Sequence, residues 1–498
     1  MLGLRSSQPN AGLWLALARA VALARRHWQL SLLLVIGAMV RLAAMIAYPP
    51  ALFFPDSWGY ISAAYGHTIV GLQARWPSGY SALIALVTLP GRDLAQLTLS
   101  QHVIGMLCGV TVYAVLVRAG LSRWAAAAGA ALSLLDGYAI TLEQYVMSDT
   151  FAGATVLAVI VLVAWPRLRC APRGADAGFG AWRAAAVGLL LAFAILQREA
   201  SMFVIPALVI YVAWIRVGWR VFAVLFACAV IPLGVYSGLV DGKYHVFGIT
   251  AASGWTLYGR VAGFADCGSF AVTPAERPLC ESTAQRASHP DEPDWYIWGP
   301  SPAVRHFRPA GETIDQNARA NALLSSFSRE VIIHQPLAMA SATLRDFLHY
   351  LTPGVTPFRD AQSATSLPVR ARDESISKRD ARAYLPGLHP QVRFPASLVR
   401  WYRGVIHVPR PVLALFALCA LIALCLRVPW RREVLLFAGS GVCLLLGTAA
   451  TGGFALRYMV PAVAPLAIGG SLAISELAAI YRAARVASLE APVLEAAA

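Results

Sequence analysis

About ten stretches of this chain are apolar enough, and close enough to 20 residues long, to cross a bilayer, and that leaves few folds open. They fall near 29–48, 95–117, 124–143, 149–166, 183–198, 200–216, 220–240, 409–427, 433–450 and 460–480. In hydrocarbon every backbone amide must be satisfied within its own segment or by close neighbours, so such stretches are expected as helices. Composition agrees. Of 498 residues 58% are hydrophobic and only 13% charged, about half the charged share of a soluble domain. The fold class expected is an all-α polytopic membrane protein with one large extracytoplasmic segment.

The charge excess, 41 Lys and Arg against 26 Asp and Glu, sits largely at the ends of the apolar stretches. Membrane orientation explains it better than a nucleic-acid partner does. Arg25 and Arg26, Arg118 and Arg123, Arg167 with Arg169 and Arg173, Arg216 and Arg220, Arg427 with Arg431 and Arg432, and Arg482 with Arg485 mark alternate ends of successive spans. Basic loops face the cytoplasm. Both termini are therefore expected inside a multi-pass cell-membrane protein, with the intervening loops outside.

This divides the chain into five parts. Residues 1–27 form a cytoplasmic start with an interfacial helix, its Leu13, Trp14 and Leu17 toward lipid. Residues 28–240 form a transmembrane module, 241–408 the extracytoplasmic segment, 409–485 the last transmembrane helices and 486–498 a cytoplasmic tail. Within 241–408, Ser253 to Arg260 is rich in aromatic and β-prone residues and begins a small folded unit. Apolar residues from Leu323 to Leu348 have helical spacing, and Pro336 divides them into two helices. Residues 359–383 are polar and read as mobile. Segment 77–90 is too short to span and reads as a helix at the outer surface. Cys267 and Cys280 share the outer segment, where an oxidising compartment would let them pair. Cys108, Cys228, Cys419, Cys425 and Cys443 lie in apolar stretches as packing residues, and Cys170 lies in a basic loop.

In so apolar a chain, polar groups near span ends are functional candidates. Asp56 stands in the aromatic turn Phe53-Phe54-Pro55-Asp56-Ser57-Trp58-Gly59-Tyr60, just beyond the first span. Arg75, Glu143, Asp149, Arg198 and Arg457 fall on the same side. Each has an ordinary alternative: Asp56 or Asp149 as a helix cap, Arg41 snorkelling to the outer interface, Arg198 and Glu199 neutralising each other, Arg457 as an interface anchor. Trp58, Tyr60, Trp76 and Tyr80 read more readily as interfacial anchors than as sugar platforms. Taken together, carboxylates and guanidinium groups at one water–lipid boundary suit a substrate with an anionic headgroup and a lipid tail. Arginine matches phosphate oxygens, and a carboxylate can accept a hydroxyl proton.

The order of these motifs resembles the GT-C superfamily of integral-membrane glycosyltransferases. It is most similar to the branch of protein mannosyltransferases and aminoarabinose transferases, family 39-like, that use polyprenyl-phosphate sugars. The resemblance rests on Arg41 late in the first span, then Asp56 with Tyr60, then Arg75-Trp76-Pro77-Ser78-Gly79-Tyr80 leading an apolar helix. Glu143 through Asp149, Leu196-Gln197-Arg198-Glu199 and Arg457-Tyr458-Met459-Val460-Pro461 complete it. The match runs from about residue 38 to 480, each motif short, and leaves 241–408 unmatched. It implies inverting transfer of a sugar from a polyprenyl-phosphate donor to an extracytoplasmic glycan, lipid or protein acceptor. Asp56 would be the catalytic base. Arg75, Tyr60, Glu143, Asp149, Arg198, Arg457 and Tyr458 would bind substrate. Ser57 stands where relatives often have a second acid, which weakens a metal site in that loop; a divalent ion shared by Asp56 and Glu143 stays open. Glu199 replaces the usual proline. Three rivals remain: a lipid or glycolipid transporter or flippase, with polar groups near the midplane; a non-catalytic assembly or sensor protein; and, among enzymes, an oligosaccharide ligase or arabinosyl-type transferase.

Overall fold

A computed structural model describes residues 11–66, 71–89, 91–169, 179–290, 292–307, 317–354, 366–369 and 383–495. The structure is 74% helical. Among the described residues the only extended pairing is an isolated parallel bridge between Leu52 and Tyr145. The polar stretch 359–383 lies largely outside the described residues, as do Cys170 and Arg173.

Each apolar stretch expected from the sequence is helical. In chain order the first elements are α1 (Ala11–Arg26), α2 (Trp28–Ala47), α3 (Pro55–Tyr65), α4 (Gly79–Val87), α5 (Leu94–Arg118), α6 (Arg123–Leu134), α7 (Gly137–Gln144), α8 (Asp149–Ala164) and α9 (Ala181–Gln197). A 3-10 turn, Glu199–Val204, leads into α10 (Ile205–Trp214), and α11 (Trp219–Tyr244) closes the first module. The last three are α19 (Arg410–Cys425), α20 (Arg431–Gly452) and α21 (Leu456–Glu495), preceded by the short α18 (Ala396–Val405).

The expected number of about ten spans is only partly met. Five single helices, together with the run Ala396–Cys425 that joins α18 to α19, are long and apolar enough to cross a bilayer, and a seventh span is added if the bent pair α6 and α7 is one crossing. Asp149–Ala164, Ala181–Gln197 and Glu199–Trp214 are apolar but shorter. The bend, 42°, has a local cause. Asp136 leaves the helix and its carboxylate accepts from the Tyr138 and Ala139 amides, starting α7 anew. The carbonyls freed at the end of α6 are not left bare. Arg41 Nη1 donates to Leu134 O at 2.7 Å and the Tyr402 hydroxyl to Leu135 O at 2.7 Å.

Lipid-facing and packed sides separate cleanly on α2. Leu32, Val35, Met39, Leu42 and Ile46 are exposed, while Gly37, Arg41, Ala44 and Ala47 are buried. Small residues let neighbouring helices approach. At Gly105 of α5 the approach is closest: a Cβ there would stand 1.9 Å from the Glu143 carboxylate.

The segment after α11 carries its own core. Helices α12 (Ser253–Ala262), α13 (Thr283–Arg286), α14 (Pro293–Trp298), α15 (Pro302–Phe307), α16 (Ala318–His334) and α17 (Pro336–His349) follow in order. Residues 253–260, read as β-prone, are helical. Trp255, Tyr258 and Val261–Ala262 recur every three to four residues, so α12 buries one face against Leu324, Phe327 and Val331 of α16. Cys267 and Cys280 are joined in a disulfide, Cα–Cα 6.0 Å. Pro336 divides α16 from α17 as expected.

Candidate active site

The turn carrying Asp56 is held by its neighbour. Phe54 caps α3, Pro55 takes the first helical position, and Asp56 lies in the first turn, where the helix dipole favours an anion. Asp56 is therefore not the cap. Ser57 does that work: its Oγ accepts from the Phe54 amide at 2.9 Å and donates to Val146 O at 2.9 Å. The same side chain thus ties the first loop to the segment that ends in Ser148 and Asp149, and it frees the Asp56 carboxylate for another partner.

That partner is Arg457. Its Nη1 stands 3.1 Å from Asp56 Oδ2, and the two side chains are 17% and 16% exposed. A second pair lies beside it. Arg198 Nη1 is 2.8 Å from Asp149 Oδ2 and 3.4 Å from Ser148 Oγ. Arg198 is 15% exposed, whereas the Asp149 side chain is fully buried, and Asp149 Oδ1 has no hydrogen-bond partner. Tyr458 joins the pairs: Arg198 lies over its ring at 5.1 Å and Arg457 at 5.0 Å, and Arg457 Nη2 donates to its hydroxyl at 3.2 Å. Such cation–π contacts hold a guanidinium while leaving part of its donor fork free.

Tyr60 completes the cluster from below. Its hydroxyl is 3.3 Å from Ser148 Oγ, and burial, then the nearby Asp56 carboxylate, push its pKa above the usual tyrosine range. It stays a neutral phenol at physiological pH. A small cleft of about 20 Å³ opens beside Arg198 and Tyr458, lined also by Gly153, Ser201, Thr448 and Pro461.

Arg457 follows the turn at Gly452-Gly453 that opens the last helix. Gly453 has φ +77°, a conformation that favours glycine. The buried Tyr350 hydroxyl donates to Gly453 O and accepts from the Ala455 amide, each at 3.2 Å. Nothing in the local pattern around Tyr350 distinguished it from other aromatics at helix ends.

Five of the expected residues, Asp149, Arg198, Tyr60, Arg457 and Tyr458, thus gather around Asp56. Two do not. Arg75 lies between two indole rings, 5.0 Å from Trp76 and 4.2 Å from Trp298 of α14. The Trp76 ring in turn lies 5.6 Å from Tyr60. Glu143 belongs to a different set of contacts. Its oxygens take Arg41 Nε and Nη2, both at 2.8 Å, and His102 Nδ1 at 2.7 Å. Arg41 is accordingly a buried partner, not a snorkelling residue, with the two side chains 2% and 3% exposed. His102 Nε2 meets Gln144 Oε1 at 2.9 Å, and Gln101 Nε2 donates to Glu143 O and Tyr145 O. The paired Gln101-His102 in an otherwise apolar stretch was the available signal.

The aromatic residues expected at the interface are partly inside. Tyr60 and Tyr80 are buried, their rings edge to face at 5.0 Å, while Trp58 stacks on Phe53. Arg198 forms its ion pair with Asp149 and not with the adjacent Glu199.

Among the described residues no three His, Cys, Asp or Glu side chains gather as a metal-binding group. Glu143 cannot share an ion with Asp56 while Arg41 and His102 occupy its oxygens, which corrects that expectation.

No protein-family model and no curated protein matches this sequence. Similar solved structures include the oligosaccharyltransferase AglB of Archaeoglobus fulgidus in complex with an inhibitory peptide and a dolichol-phosphate, at 14% identity and a TM-score of 0.43. That alignment covers 93% of this chain and 52% of AglB. The apo form of the same oligosaccharyltransferase aligns over 93% of this chain at 12% identity, also with a TM-score of 0.43. This chain spans about half the length of that protein. A likeness this shallow identifies no activity.

Proposed function

We propose that this chain is a GT-C-type integral-membrane glycosyltransferase that moves a sugar, with inversion, from a polyprenyl-phosphate donor to an acceptor on the extracytoplasmic side. The observation that carries the reading is the pair of acid–arginine contacts, Asp56–Arg457 and Asp149–Arg198, joined by Tyr458 at one end of the helix bundle, with Asp56 and both arginines still partly exposed and Asp149 buried behind them.

The chemistry follows from competition for the guanidinium groups. A donor phosphate entering beside Tyr458 offers Arg457 and Arg198 oxygens that can take both prongs of the fork. Asp56 is then released from Arg457. The acceptor hydroxyl attacks the anomeric carbon from the face opposite the phosphate. The new carbon–oxygen bond forms as the anomeric carbon–phosphate oxygen bond breaks, the hydroxyl proton passes to Asp56, and the lipid phosphate leaves as an anion held by the arginines. A positioned base contributes about 10²–10⁴-fold, and fixed cations facing the departing charge contribute several kcal/mol more. Asp149 keeps Arg198 in place, and the neutral Tyr60 phenol packs the site floor without adding charge.

The Cys267–Cys280 disulfide supports an oxidising, extracytoplasmic side for the segment after α11. The test is direct. Purified protein in lipid nanodiscs is incubated with a panel of radiolabelled polyprenyl-phosphate sugars and membrane extract, and the anomeric configuration of any product is read by NMR. Transfer with inversion is expected for one donor. If no donor in the panel yields a labelled product, the enzymatic reading is lost.

A further inference from the structure

Helix α18 is built inside out for a helix in water. Its two arginines turn toward the protein. Arg400 Nη1 is 3.4 Å from the Tyr48 hydroxyl and 3.3 Å from Pro368 O, and Arg403 lies over the Tyr138 ring at 4.8 Å. Ala396 and Val399 are buried on the same side. The opposite face carries Leu398, Trp401 and Val405, at spacings of three and four residues, with Phe394 in the turn just before the helix. All four are exposed, Leu398 at 55% and Trp401 at 61%, and the small residues between them, Ser397 and Gly404, add no charge. A water-facing helix would place its arginines out and its large apolar groups in.

The contacts also fix its depth. The incoming segment lies against the C-terminal end of α2, where Gln391 N donates to Pro49 O and Arg393 N to Ala47 O. Below that, the Tyr402 hydroxyl reaches Leu135 O, Gly137 N donates to Ile406 O, and Val408 N donates to Asp136. Arg41, which bonds the adjacent Leu134 carbonyl, lies 13 residues into α2, about 20 Å from its start at 1.5 Å per residue, whereas Tyr48 lies about 30 Å along. Helix α18 thus runs beside α2 from the level of Ala47 toward that of Leu135, and Arg410 just beyond it bonds His349 O and Thr352 O at the end of α17. Leu42 and Ile46 of α2, which packs against α18, and Leu415 and Leu418 of α19, which follows it in the chain, are exposed as well.

We infer that Phe394–Val405 is a membrane-embedded foot of the segment that follows α11, with its apolar face seated among the acyl chains of the leaflet on the Asp56 side. Exposed Arg393, at the level of Ala47, marks the headgroup boundary where a cation is favoured. The foot ties the last part of that segment to α2 and α7, immediately beside the loop that leads to Asp56. This inference does not depend on the proposed activity.

Spin labels test it in nanodiscs of phosphatidylcholine with phosphatidylglycerol. All cysteines except the Cys267–Cys280 pair are replaced by alanine, and a nitroxide is placed singly at Leu398→Cys, Trp401→Cys or Val405→Cys. Met39→Cys on α2 is the lipid control and Arg329→Cys on α16 the aqueous one. Collision with oxygen and with a water-soluble nickel chelate is measured by power saturation. The three foot labels are expected to match Met39→Cys, with nickel accessibility several-fold below that at Arg329→Cys. Foot labels that behave like Arg329→Cys overturn the inference, and so do labels shielded from both reagents, which would mean a protein surface covers that face.

Discussion

The chain uses arginine–carboxylate contacts in two places and in two ways. Around Glu143 every charged oxygen is taken: Arg41 holds both, His102 shares one, and the side chains are 2–3% exposed. Around Asp56 and Asp149 each arginine makes one contact to its acid, Asp149 keeps an oxygen unused, and the arginines are 15–17% exposed. The first arrangement has nothing left to offer a ligand. It fastens α2, α5 and α7 to one another within the bilayer, where an unpaired ion is expensive. The second retains hydrogen-bonding capacity at the edge of a cleft.

The largest expected effect separates the two clusters by rate. Asp56→Asn removes the base but keeps the shape, and its partner Arg457 remains held by Tyr458. Transfer should fall about 10²–10⁴-fold with the thermal unfolding midpoint in detergent unchanged. Near-normal transfer by this variant would remove Asp56 from the chemistry and erase the functional half of the contrast.

Stability provides the converse. Glu143→Ala leaves Arg41 and His102 without their anion, and breaking a buried ion pair from one side costs about 3–5 kcal/mol. A steep drop in folded yield or unfolding temperature is expected. Unchanged stability together with lost transfer would move Glu143 back among the substrate-binding residues.

How far the sequence could foresee this differs between the clusters for a physical reason. Asp56, Asp149, Arg198 and Arg457 stand at span ends on one side of the membrane, so topology alone brings them to a common plane, and that plane was readable. The partner of Glu143 was not. Arg41 precedes the end of α2 by six residues, and snorkelling explained it equally well until the bend after Leu134 brought a free carbonyl and Glu143 within reach. That bend is written as Asp136-Gly137, a turn signal hidden inside a stretch otherwise apolar enough to read as one span. Ser253 to Arg260, rich in β-prone residues, begins a folded unit as expected and does so as a helix. Aromatic propensity is weak beside the three-to-four-residue spacing that lets α12 bury Trp255 and Tyr258.

A smaller effect sharpens the role of the open pairs. Arg198→Lys keeps a cation beside Asp149 but replaces a planar fork with a point charge. The donor KM should rise about tenfold, roughly 1.4 kcal/mol, with little change in unfolding temperature. A fall in kcat with KM unchanged would assign Arg198 to the departing charge alone.

The smallest effect tests whether the sealed cluster is only scaffold. Tyr80 touches both regions: its ring meets Tyr60 at 5.0 Å, and its hydroxyl donates to Gln101 Oε1 at 2.8 Å, which in turn holds the Glu143 backbone. Tyr80→Phe keeps the ring contact and deletes the hydroxyl. Losing one buried hydrogen bond costs about 1 kcal/mol of stability, somewhat more if the Gln101 oxygen stays unsatisfied. If Gln101 and Glu143 serve the fold alone, transfer by the variant, measured well below its unfolding temperature, should match the parent within a factor of two or so, since the packing against Tyr60 is intact. A rate loss much larger than the stability loss would mean that the two regions are mechanically coupled through Tyr80, and that the closed network sets the position of the open one.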